Sequence, residues 1–229
     1  MKEILILDVE TTGLDPETDV IVELGFVLFS VEHHSTIAQG SHLFGAASNP
    51  AEAINRIPAA AVTNEEGWPR PGFDAFFLAS ASRAGVVAAH NASFDRSFLE
   101  RNPRVDLGSS AQWICTHEDF PWPIERARGR SLVEIAVAHD VPVVSAHRAL
   151  DDCRLLAEIF TRIPDLDERL EIAGRPRMAY KALVSYDQRE QAKAAGFRWN
   201  PEMKIWTRRL AVTELDGFPF AVAAIPEPK

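Results

Sequence analysis

Ile4-Leu5-Ile6-Leu7-Asp8-Val9-Glu10-Thr11-Thr12-Gly13 is an apolar run that stops at a carboxylate and turns into polar residues. The run is too short for a signal peptide and reads as a first strand, which predicts a cytoplasmic protein. Residues two apart on a strand share a face, so Asp8 and Glu10 emerge side by side at its C-terminal end. Two unpaired carboxylates there repel and are costly to desolvate, and a bound divalent cation removes both problems. Hard oxygen donors suit Mg²⁺ or Mn²⁺. Taken alone, the same pair also fits a solvated acidic strand end.

Outward from this strand the pattern is mixed. Thr12-Gly13-Leu14-Asp15-Pro16 has turn chemistry throughout and predicts a tight loop into a second strand over Val20–Phe29. Ile37–Phe44 is a third strand candidate. Gly85–Ala89 is a fourth, followed at once by a helical pattern over Ser93–Arg101. Ser131 with Glu134 three residues on marks a helix start. Ala149–Ile163 is the strongest helix, with Leu156, Ile159 and Ile163 on one stripe and Pro164 as its stop. Strands first, then strands alternating with helices, predict an α/β fold with a mixed sheet flanked by helices.

With 229 residues, 46% hydrophobic and 25% charged, the composition is that of an ordinary globular protein and excludes collagen, coiled coil and disorder. No apolar stretch approaches the roughly 18–20 residues of a membrane span, so no membrane partner is expected. Cys115 and Cys153 sit in no CxxC pattern and read as buried structural thiols. The net charge of −9 argues against a polyanion-binding protein as a whole. Its distribution is uneven, however. Residues 1–173 carry 14 basic and 27 acidic side chains, whereas residues 174–209 carry 9 and 3. Two electrostatic regimes predict two modules: a domain over 1–165, a linker over 166–176, and a small C-terminal α+β module over 177–229. In that module a strand is predicted over Ala182–Tyr186 and a capping box at Asp187 and Glu190. A helix over Arg189–Ala195 should end at Gly196, before a hairpin around Asn200–Met203.

Two further carboxylates lie in strong contexts. Asp95 falls in His90-Asn91-Ala92-Ser93-Phe94-Asp95, on the first turn of the helix after the fourth strand. Asp152 falls in His147-Arg148-Ala149-Leu150-Asp151-Asp152, at the start of the strongest helix. With Asp8-Val9-Glu10-Thr11-Thr12-Gly13, and in this order, these segments resemble the three motifs of the DEDDh 3′→5′ exonucleases. That group includes the proofreading subunit of bacterial replicative DNA polymerase, and the resemblance covers about residues 1–165.

The resemblance implies a ribonuclease H-like sheet with two divalent cations at its centre. By position, Asp8, Glu10 and Asp152 would bind one cation, Asp8 would also bind the second, and Asp95 would complete the second site, partly through water. His147 would be the general base. The backbone at Thr11 and Thr12 would hold the terminal 3′-hydroxyl, and Leu14 would pack beneath the last base. The chemistry agrees, since in-line displacement at a phosphodiester is served by two cations roughly 3.5–4 Å apart. A histidine titrates near neutrality and accepts the proton that ligated carboxylates cannot. Asp151 reads as a surface charge, and His90 and Asn91 as structural residues. Trp113-Ile114-Cys115-Thr116 stands where the family more often has Asp-Thr.

The implied activity is release of nucleoside 5′-monophosphates from single-stranded or frayed DNA ends. Alternatives are an RNA 3′-end trimming exonuclease and a catalytically inactive exonuclease-fold scaffold that binds nucleic acid. The implied partners are single-stranded DNA or RNA 3′ ends and, as a protein partner, a polymerase or repair protein. The C-terminal module resembles a small domain of unknown function, through Ala195-Gly196-Phe197-Arg198-Trp199 and Lys204-Ile205-Trp206. Arg198, Trp199, Lys204 and Trp206 are candidate nucleic-acid contacts, with bases stacking on the aromatics. Equally, a module this small needs its tryptophans as core.

Overall fold

A computed structural model describes residues 2–63, 72–102, 105, 107, 111–123 and 131–226. The chain divides into two compact units, Met1–Gly174 and Arg175–Lys229. In the first, β1 (Glu3–Thr11), β2 (Ile21–Ser30) and β3 (Ser35–Leu43) form an antiparallel meander. β4 (Val86–Ala89) and β5 (Trp113–Cys115) add in parallel on the other side of β1, giving the order β3-β2-β1-β4-β5. Around this sheet lie α1 (Glu52–Asn55), α2 (Ala59–Val62), α3 (Phe73–Arg83), α4 (Ala92–Leu99), α5 (Leu132–Ala138), α6 (Ala149–Phe160) and α7 (Leu166–Ala173). The expected mixed α/β sheet is therefore present.

β1 is central and buried on both faces, as its unbroken apolar run requires. Ile4 and Ile6 face a core shared with Val27 and Phe29 of β2 and closed by Ile135, Leu156 and Phe160 of α5 and α6. Leu5, Leu7 and Val9 face the other way, towards Phe26, Phe77 of α3, and Phe98 and Leu99 of α4. Alternation then places Asp8 and Glu10 on the α5–α6 side. Ser131 and Glu134 form the expected capping box of α5.

Several expectations need correction. Residues 166–176 are not a linker throughout, because Leu166–Ala173 is α7 and its Leu166, Leu170 and Ala173 are buried in the first core. The charges between those positions face solvent, and charge alone had suggested an open segment. Cys115 is half-buried, and only Cys153 is fully enclosed; both are free thiols. The strand expected over Ala182–Tyr186 lies upstream, as β6 (Arg177–Ala182).

The second unit pairs β6 with β8 (Ile205–Ala211), flanked by β7 (Arg198–Asn200) and β9 (Val222–Ala224), in the antiparallel order β7-β8-β6-β9. Ser185 and Gln188, rather than Asp187 and Glu190, make the capping box of a 3₁₀ turn that leads into α8 (Arg189–Ala194). Gly196 leaves the helix at φ 82°, the left-handed conformation its position demands. The hairpin is as expected, with Trp199 opposite Trp206. Tyr180, Ala182, Ala192, Phe197 and Leu210 form the small core. Among the described residues no helix is long and apolar enough to cross a membrane.

Candidate active site

The register of β1 against β2 sets Asp8 opposite Gly25 and Glu10 opposite Glu23. α6 descends onto this pair at its first turn. A Cβ on Gly25 would lie 2.4 Å from the carbonyl carbon of Ala149 and the nitrogen of Leu150, so a glycine is what lets the helix backbone come so close. Asp152, on that first turn, is thereby brought to the two strand carboxylates. One carboxylate oxygen from each of Asp8, Glu10 and Asp152 lies within 4.8 Å of the others.

The start of α6 is fixed by a side chain that the sequence did not single out. Glu23 is 2% exposed and accepts two hydrogen bonds from the Arg148 guanidinium, at 2.8 and 3.0 Å. It also accepts the Ala149 N–H at 3.2 Å, closing the helix N-terminus. The one available clue was a carboxylate inside the apolar run Val20–Phe29, which at that depth needs a partner. His147 precedes this clamp, exposed to solvent, in a left-handed backbone conformation at φ 62°.

Asp95 reaches the site from the opposite face of the sheet, because α4 covers the Leu5–Leu7–Val9 side. Its carboxylate accepts the Val9 N–H at 3.1 Å and is 2% exposed. It stands outside the close trio and acts on it as a charge, the strongest of those that raise Asp8.

The electrostatics are those of an anion cluster short of cations. Burial, then the neighbouring Asp95, Glu10 and Asp152, push the Asp8 carboxyl well above its usual range. Burial and the charges of Asp152 and Glu23 push Glu10 up to about 8, with Arg148 pulling the other way. Burial raises Asp95 to about 7 against the backbone N–H of Val9. Asp152 is raised by burial too, opposed by His147. Hard oxygen donors crowded together in a buried site, where each raises its neighbours, fit a divalent cation.

The turn after β1 is tied within itself. The Thr12 hydroxyl donates to Asp19 at 3.0 Å and accepts from the Val20 N–H, also at 3.0 Å. The Thr11 hydroxyl donates to the Gly13 carbonyl, and both threonines are buried. Leu14 beyond them is 84% exposed. His90 is held at 3.0 Å from the Thr116 hydroxyl, in keeping with a structural role, while Asp151 pairs loosely with Arg154 on the surface. In the second unit Trp199 and Trp206 stack edge to face at 5.7 Å, and Lys204 sits at the hairpin turn at φ 53°.

Comparison with known proteins agrees with this geometry. Over 183 residues the chain is 28% identical to DNA polymerase III PolC-type of Thermotoga maritima, covering 76% of this chain but 13% of that protein. The same protein type from Staphylococcus epidermidis is 28% identical over 165 residues, 69% of this chain and 11% of that one. The chain thus spans about an eighth of the length of the curated relatives it matches. Among solved structures, Exonuclease X in complex with 5′ overhanging duplex DNA is 26% identical with a TM-score of 0.54, covering 74% of this chain and 97% of that one. E. coli Exonuclease I in complex with a dT13 oligonucleotide shares the fold, with a TM-score of 0.58 at 14% identity over 80% of this chain and 49% of that one. Residues 178–225 match a domain of unknown function (DUF8626). The RNase_T exonuclease family matches residues 5–160, well over half of the chain, and with its acidic cluster in place this protein belongs to that family, in its DEDDh branch.

Proposed function

We propose that the chain is a metal-dependent 3′→5′ exonuclease that releases nucleoside 5′-monophosphates from single-stranded or frayed DNA ends. The observation that carries this reading is the convergence of Asp8, Glu10 and Asp152 within 4.8 Å at the end of a buried strand. Asp8, Glu10 and Asp152 would hold one divalent cation, Mg²⁺ or Mn²⁺, and Asp8 with Asp95 a second. Such cations, when bound, supply charge stabilisation at the scissile phosphate and lower the pKa of an attacking water.

The chain's own residues do the rest. His147, exposed beside the cluster and next to the Glu23–Arg148 clamp, takes the proton of the attacking water at an imidazole nitrogen. The Glu23 clamp holds the His147–Ala149 turn so that this ring and Asp152 keep their places relative to β1. The backbone at Thr11 and Thr12, rigid because both hydroxyls are spent inside the turn, receives the terminal 3′-hydroxyl. Leu14, exposed on the same turn, offers an apolar face to the last base. DNA is the favoured substrate class because Exonuclease X, at 26% identity, is seen in complex with duplex DNA bearing a 5′ overhang.

The test uses matched 5′-labelled single-stranded DNA and RNA with Mg²⁺, with EDTA, and with Asp8→Ala. A ladder descending from the 3′ end on DNA, absent in both controls, is the expected result. Absence of a ladder on either substrate with Mg²⁺ or Mn²⁺ overturns the reading. A ladder on RNA alone moves the substrate class.

A further inference from the structure

The register of the second unit sets Lys181, Arg198 and Arg209 on the face of its sheet opposite the packed one, on which Arg208 lies with the aromatics. Residues paired across antiparallel strands share a face, and neighbours along a strand alternate. Tyr180, Ala182, Leu210, Trp206 and Val222 share the face that packs with Ala192 of α8 and with Phe197. Trp199 lies opposite Trp206 and so belongs to that face as well. Trp206 is therefore part of the packed side, while Trp199, on the same face, is 50% exposed.

The other face is different in kind. Lys181 of β6, Thr207 of β8 and Arg198 of β7 form one row across three strands, with Ala223 of β9 beside Lys181. Ala179 and Arg209 form the next row. Arg198 and Arg209 are exposed, and the residues between the cations, Ala179, Thr207 and Ala223, are small, with Ile205 next along β8 on the same face. No strand position on this face carries a carboxylate among the described residues, although Glu214, after β8, pairs with Arg177 at one end of it. Standard strand spacing puts the three cationic residues about 8–10 Å apart at Cα. The exonuclease unit, by contrast, carries 14 basic against 27 acidic side chains, a charge that repels the polyanion it would cleave.

We propose that this open sheet face, through Lys181, Arg198 and Arg209, holds the phosphodiester backbone of the single strand whose 3′ end the exonuclease unit consumes. The contacts are point charges on phosphates, independent of base identity. The proposal rests on the exonuclease reading only for which strand is held.

Binding of a fluorescein-labelled 30-nucleotide oligo-dT to the full chain, in EDTA and between 50 and 200 mM KCl, tests it without hydrolysis. Each phosphate neutralised on a single strand contributes about 0.7 to the slope of log K against log salt. The triple variant Lys181→Ala/Arg198→Ala/Arg209→Ala is expected to flatten that slope by about 2 and to weaken binding at 50 mM by at least about tenfold. Lys193→Ala, which removes a cation from α8, is expected to leave the slope intact, with circular dichroism confirming that every variant is folded. An unchanged slope in the triple variant overturns the proposal. So does a wild-type protein that binds polyglutamate as tightly as oligo-dT. Hydrolysis of the same oligomer by the wild type in Mg²⁺ is read separately, so failure of the exonuclease reading is distinguishable from failure of the basic face.

Discussion

Glu23 and Arg148 show how one buried pair can set a catalytic geometry without touching substrate. Glu23 receives the Arg148 guanidinium and the Ala149 N–H, and its neighbour across the strand pair is Glu10. Arg148→Met leaves Glu23 buried with only the Ala149 N–H facing its charge. A destabilisation of about 2–3 kcal/mol is expected, below that of a fully enclosed pair because Arg148 is 38% exposed. The double variant Glu23→Gln/Arg148→Met should recover most of that loss in urea unfolding while remaining catalytically impaired, which separates stability from positioning. His147 is a different case, since its side chain is exposed and supports no core. His147→Asn is expected to lower kcat by about 10²–10⁴ while Mn²⁺ affinity, read by calorimetry, stays within about twofold. Equal loss of both would assign His147 to metal binding instead.

At the level of elements, the site depends on how closely α6 can approach β2. Gly25 is the contact point, with backbone atoms of Ala149 and Leu150 occupying the space a Cβ needs. Gly25→Ala must push the helix away, at a cost of about 1–3 kcal/mol, and carries Asp152 with it. The expected signature is a loss of exonuclease rate larger than the fall in melting temperature explains. Gly85→Ala serves as the matched control, because nothing lies within 4 Å of a Cβ there. A Gly25→Ala protein with wild-type rate would show that the helix tolerates the displacement. The same element logic explains Asp95: α4 belongs to the other layer, so its carboxylate arrives at Val9 rather than inside the trio.

For the molecule as a whole, the acidic cluster couples folding to pH and to cations. Glu10 rises from an ordinary 4.5 to about 8 and Asp95 from 3.8 to about 7 on folding. A carboxyl that holds its proton more tightly when folded makes the native state bind more protons than the unfolded one. The contribution of these groups to stability is then greatest at low pH and is lost as pH rises from about 4 to about 8. In EDTA the protein is expected to melt at least about 3 °C higher at pH 5 than at pH 8. Mn²⁺ added at pH 8 should restore much of the difference, and Glu10→Gln should shrink it. A melting temperature that rises with pH in EDTA would contradict the burial of these groups.

Local pattern alone determined a good deal. The apolar run into Asp8 and Glu10 marked a buried strand end, Thr12–Pro16 marked its turn, and Ser131 with Glu134 marked a helix start, because each rests on chemistry within a few residues. The three spaced motifs pointed to the exonuclease family for the same reason. Only tertiary structure decided what depends on residues far apart in the chain. Glu23 meets Arg148 across 125 positions, and Gly25 is indispensable because of Ala149. α7 was hidden by its charges, since a helix with one apolar stripe announces itself only once the surface receiving that stripe is known. In the C-terminal module, composition mixed aromatics with cations, and strand register set Lys181, Arg198 and Arg209 on the face opposite the aromatics while leaving Arg208 among them. A side chain's face is a property of its pairing, which no count of neighbours in sequence contains.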